Sequence, residues 1–126
     1  MKIFWVSLFI ILLFFVSAVY FNYTLKVSSQ EIMNIFEDIE KNIGEKNWEL
    51  AQRNFTTLQN KWEDISNPWK AFIEHQELDN IQLSLIKMGE YIKVENEDLA
   101  KAELASLKFL IGHISVSYTH LRAHET

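Results

Sequence analysis

Nineteen residues near the start of the chain, Ile3 to Phe21 (IFWVSLFIILLFFVSAVYF), form an uncharged apolar run interrupted only by Ser7 and Ser17. As a helix rising 1.5 Å per residue the run spans about 28 Å, close to the hydrocarbon thickness of a bilayer. So long an apolar run cannot join the water-soluble core of so short a chain, which leaves about 90 residues for a folded domain. Trp5 near one end and Tyr20 and Tyr23 near the other stand where amphipathic rings prefer the headgroup level, and Lys2 and Lys26 bracket the segment. It holds no glycine and no small-xxx-small spacing, so tight helix dimerisation is not signalled. Val16-Ser17-Ala18 also satisfies a signal-peptide cleavage rule, but the run stays apolar through Phe21 where a signal peptide turns polar. Residues 1–25 are therefore read as a membrane anchor or uncleaved signal, with the bilayer as partner through Ile3–Phe21. Lys2 and the N-terminal amine against an acidic distal flank orient the N-terminus inside and the remaining domain outside the cytoplasm, as a single-pass protein of the cell membrane.

Beyond the run, composition argues for helices. Three glycines and one proline among 126 residues leave little material for a turn-rich β fold. The lack of cysteine removes disulfides, thiolate nucleophiles and thiolate metal sites. From Lys26 to Ile114 sixteen Asp and Glu face ten Lys and Arg, a balance of 10 − 16 = −6. A surface of that sign disfavours nucleic acid and anionic headgroups as partners.

Apolar spacing then predicts four helices. Ser28 and Glu31 read as a capping box before Ile32, Ile35, Phe36, Ile39 and Ile43, with Gly44 as the stop. Asn47 caps a second helix carrying Leu50, Ala51, Phe55, Leu58, Trp62 and Ile65, which Ser66-Asn67-Pro68 should break. The third is expected over Asn67–Tyr91, opened by Pro68 and burying Trp69, Phe72, Leu78, Ile81, Leu85, Met88 and Ile92. Asn96 caps the fourth, with Leu99, Ala100, Leu104, Leu107, Ile111 and Ile114. Sliding the chain against itself by 49 residues superposes caps and apolar positions without a gap: Ile32 on Ile81, Asn47 on Asn96, Ala51 on Ala100, Ile65 on Ile114. Two amphipathic hairpins with equal loops also align this way without a common origin. Either way the expected fold is all-α, an N-terminal transmembrane helix followed by a small four-helix domain (residues 26–114) of two antiparallel αα-hairpins.

Trp48, Ala51, Leu58, Trp62, Trp69, His75-Gln76-Glu77, Asp79-Asn80-Ile81, Tyr91-Ile92, Glu103-Leu104 and His113-Ile114 together resemble the domain-of-unknown-function family 4363, small proteins of Gram-positive bacteria. The segment from His75 to Ile81 is the most specific part of the likeness. The resemblance implies a membrane helix plus a helical domain and carries no catalytic residues with it. Where members of that family continue with a proline and further acidic residues, this chain reads SVSYTHLRAHET, which resembles a translated sequencing adapter. Residues 115–126 are accordingly set aside as a non-native tail, and with them the i, i+4 pair His120 and His124.

The remaining candidate polar site is His75, Glu77, Asp79 and His113. His75 and Asp79 share a helix face at i, i+4, the spacing of a two-residue metal grip or of a base with its orienting carboxylate, and His113 on another helix would be a third member. The competing reading is a polar contact, with a tryptophan N–H as further partner, that fixes how the third helix packs. No nucleophile elbow, phosphate-cradling glycine loop or calcium loop is present in the sequence, so no catalytic residue and no cofactor is assigned. Two functions follow: an extracytoplasmic protein-interaction or accessory module working with a membrane-protein partner, or a metal-binding or hydrolytic domain centred on His75, Asp79 and His113.

Overall fold

The computed structural model describes the backbone of residues 1–124 and the side chains of residues 1–116. Four helices follow one another: α1 (Lys2–Gly44), α2 (Trp48–Trp69), α3 (His75–Lys93) and α4 (Glu97–His124). Among the described residues there is no strand, in keeping with the expected all-α class. The helices are four because the apolar run and the first core helix are a single 43-residue element. Ser28 does not cap anything; it lies inside α1. No glycine or proline stands between Phe21 and Ile32, and extending a nucleated helix is easier than ending one and starting another.

The first part of α1 lies outside the bundle: every residue from Ile3 to Ser17 is exposed. Burial begins at Leu25 and recurs at Ser29, Ile32, Phe36, Ile39 and Ile43, the 3–4 spacing of one helix face. That stripe meets Ala51, Phe55, Leu58, Trp62, Ile65 and Trp69 of α2, Leu78, Ile81, Leu85, Met88 and Ile92 of α3, and Ala100, Leu104, Leu107, Ile111 and Ile114 of α4 in one core.

Both hairpins turn in the same way. Lys46 (φ 57°) and Glu95 (φ 58°), 49 residues apart, adopt the left-handed conformation. At the first turn the amide of Asn47 donates to Asn42 O and that of Lys46 to Ile43 O; at the second, Asn96 donates to Tyr91 O and Glu95 to Ile92 O. These are Schellman closures. Each asparagine then caps the next helix, the side-chain oxygens of Asn47 and Asn96 accepting from the amides of Leu50 (3.3 Å) and Leu99 (3.0 Å). Because one residue both closes one helix and starts the next, the left-handed residue must immediately precede it. That places it at Lys46 and not at Gly44, the stop read from the sequence.

The connection between the hairpins departs from expectation. α2 continues through Pro68 to Trp69, and α3 begins only at His75, so Asn67–Tyr91 is not one helix. Trp62 and Trp69 are seven residues apart on one face of α2, both buried, with rings in edge contact at 5.8 Å. Removing an indole from water stabilises by up to about 4–6 kcal/mol, more than the roughly 3 kcal/mol of a proline inside a helix. The last turn of α2 therefore holds. Phe72, assigned from the sequence to a buried helix face, is in the connector and 60% exposed. At the other end, α4 runs past Ile114, the last apolar position read for the fourth helix, to His124.

Candidate functional site

His75 is the first residue of α3, following Glu74 at the N-cap, and is exposed. Asp79 lies one turn on, also exposed, and among the described residues no ion pair or side-chain hydrogen bond joins the two. Glu77 occupies the first turn of α3 on the opposite side, half-buried, where the positive end of the helix dipole favours a carboxylate. Its neighbour is His113 of α4: Nε2 stands 3.9 Å from Glu77 Oε1, beyond hydrogen-bonding distance, and the ring stacks on Phe109 at 6.0 Å. The bundle thus brings Glu77 to His113 and leaves His75 and Asp79 apart from them. Among the described residues no three His, Asp or Glu side chains converge to hold a metal. The indoles provide no further partner, since Trp62 Nε1 donates to Gln82 Oε1 (3.0 Å) and Trp69 Nε1 is buried without a partner among the described residues. The side chains of His120 and His124 lie outside the described residues.

A feature that sequence reasoning missed lies between α2 and α3. Their seam is less closely packed than those of α1–α2, α3–α4 and α1–α4, and it opens into a cleft of about 620 Å³. Trp62, Leu78 and Leu85 form its floor, and Gln59, Glu63, Asn67, Lys70, Asp79 and Gln82 are among its walls. Asp79 is the one member of the predicted polar site that faces it. The only available signal was the run of amides and acids on the solvent side of α2, which is equally the signature of a solvated face. In the first turn of α4, at the far end of the molecule, the Lys101 ammonium donates to Glu97 at 2.9 Å. This bond, reinforced by charge, lowers the Glu97 carboxyl below its ordinary value and raises the Lys101 amine. It supports a helix start and has no part in the histidine sites.

A family model described as Domain of unknown function (DUF4363) matches residues 19–119. The chain belongs to this family. No curated protein and no solved structure matches it. The DUF4363 match starts inside the apolar run and ends five residues beyond Ile114, so Ser115–Thr119, assigned from the sequence to the tail, falls within it.

Proposed function

We propose that this DUF4363 protein is a single-pass membrane protein whose helical domain stands outside the cytoplasm and serves a membrane-protein neighbour as an interaction or accessory module. The observation that carries the reading is the continuity of α1. Its apolar segment, 0% buried within the molecule, passes without a break into the stripe that builds the core. Exposed to water, an apolar surface of that size is an aggregation hazard; covered by lipid, it is an anchor. Because no linker intervenes, the anchor sets the orientation of the domain as well as its location. The hairpin turns at Lys46 and Glu95 then stand about 30 Å above Tyr23, at a fixed height where a neighbour's extramembrane part can be met.

The absence of cysteine makes the test direct. A Lys46→Cys variant in intact cells is expected to react with a membrane-impermeant maleimide, and labelling only after lysis would reverse the orientation. A photo-crosslinker at the same turn in intact membranes of the source cell is expected to trap the same protein reproducibly. If no product recurs between preparations, the interaction reading is lost while the anchor stands.

A further inference from the structure

Phe21 is the last residue of the apolar run, and its ring packs on that of Phe72 with centroids 4.3 Å apart. The contact fixes the height of the α2–α3 connector, which must lie at the level where the anchor leaves the hydrocarbon. Phe21 is half-buried, but Phe72 remains 60% exposed despite the contact, and Ala71 beside it is exposed too. Tyr20 (70% exposed) and Tyr23 (67% exposed) stand at the same level on α1. Three exposed aromatic rings at one height on two separate elements make an interfacial belt. Lys70, just before Ala71, and Lys26, about 7 Å above Phe21, place ammonium groups at headgroup depth.

We propose that the α2–α3 connector is a second membrane contact, in which Phe72 enters the bilayer interface beside Phe21 and seats the base of the bundle on lipid. The exposed face of Phe72 is continuous through Phe21 with the lipid-facing surface of α1, which selects lipid as its cover. A helix that only spans is free to tilt, whereas a second point of contact away from its axis restrains the tilt and holds the bundle upright. The inference rests on the membrane reading above, and its test separates the two.

Single-cysteine variants of the full-length protein, Phe14→Cys in the anchor, Ala71→Cys in the connector and Lys46→Cys at the far turn, are labelled with an environment-sensitive fluorophore. They are then reconstituted in phosphatidylcholine vesicles containing some phosphatidylglycerol. The Ala71 probe is expected to be blue-shifted, quenched by lipids brominated near the headgroup and protected from aqueous iodide, while the Lys46 probe behaves oppositely. Adding Phe72→Ser to Ala71→Cys is expected to restore iodide access, with the helical circular dichroism unchanged. If the Ala71 probe matches the Lys46 probe while the Phe14 probe is quenched by deeply brominated lipid, the second contact is refuted and the anchor survives. If the Phe14 probe is also open to iodide, the membrane reading itself falls.

Discussion

The two hairpins share a turn down to individual hydrogen bonds, but the seams at which they meet differ. Along α1–α4, Met33 lies half-buried with its methyl 3.7 Å from the point where a Cβ on Gly112 would stand, and Lys108 pairs with Glu40. The equivalent positions on α2–α3, 49 residues away in each case, are Gln82 for Met33 and Glu63 for Gly112, and both line the open cleft. A thioether resting over a glycine lets two helices close, whereas an amide facing a carboxylate keeps both hydrated and the helices apart. Where α2 and α3 do touch, the relation is inverted, since Gly89, the counterpart of Glu40, lies under the ring of Phe55. The repeat therefore sets where each helix starts and which face it buries. A few non-equivalent side chains decide which seam shuts.

The largest effects are expected in the core, where the two hairpins bury equivalent side chains. Ile43→Ala and Ile92→Ala, at equivalent positions that are both 0% exposed, are each expected to cost about 2–5 kcal/mol and to differ by less than about 1 kcal/mol. Denaturation of the full-length protein in micelles should remain one transition for both variants. If Ile92→Ala splits the curve, the hairpins do not share one core.

Gln82→Met makes the open seam resemble the closed one but removes the acceptor of the Trp62 indole. Leaving that buried N–H unpaired is expected to destabilise by roughly 1–3 kcal/mol, read from the same curves. A neutral or stabilising result would mean that the seam closes over the loss and that polarity alone held it open.

Gly89→Ala places a Cβ 2.6 Å from Phe55 Cε1, a clash at the far end of a side chain. Overpacking of roughly 1–3 kcal/mol is offset by about 1 kcal/mol of helix propensity, which leaves a net loss of about 1 kcal/mol. In a Phe55→Leu background, leucine being the residue at equivalent position 104, the same change should become stabilising. An unaltered loss there would place the clash elsewhere.

Asn47→Ala and Asn96→Ala should cost about 1 kcal/mol each, and equally, if the two turns are the same device. Unequal melting shifts would show that one cap is supported by something its counterpart lacks.

The smallest effect is electrostatic. The Glu97–Lys101 pair is not reproduced at the equivalent positions of the first hairpin, Trp48 and Gln52; there the i, i+4 pair stands one residue later, Arg53 on Glu49, and is longer at 3.4 Å. With the carboxyl lowered by the Lys101 hydrogen bond and charge, its contribution is present above the unfolded-state pKa and is lost as pH falls through the depressed folded value. Exposure and salt keep that contribution slight. An NMR titration should find the Glu97 midpoint below the ordinary carboxylate range and returned to it by Lys101→Ala. No change on that substitution would rule the pairing out.

Much of the architecture was legible from local pattern. The 3–4 spacing of Ile32 to Ile43 and of Ile81 to Ile92 located core faces, and Asn47 and Asn96 marked helix starts, because capping and amphipathicity depend on residues within one or two turns. The same locality misled at Ser28, whose capping box is real as a pattern but sits in a chain with no reason to stop being helical. It misled again at Pro68, a breaker overruled by the burial of Trp69. The polar site was legible only as a set of residues. His75 and Asp79 shared a face as their spacing required, but the side chain that meets His113 is Glu77, and no spacing along α3 could have shown it.

Local pattern was enough to read that the chain is helical, that it begins with an apolar run long enough to cross a bilayer, and that its turns fall 49 residues apart. Backbone propensity, hydrophobic period and caps act over distances of a few residues. Packing between helices settled the rest: the apolar segment and the first core helix are one rod, the α2–α3 seam gapes while α1–α4 closes, and Phe72 lies against Phe21 at the foot of the bundle. Those outcomes depend on which side chains meet across helices far apart in the chain, and the free energy of such contacts exists only once the helices are packed.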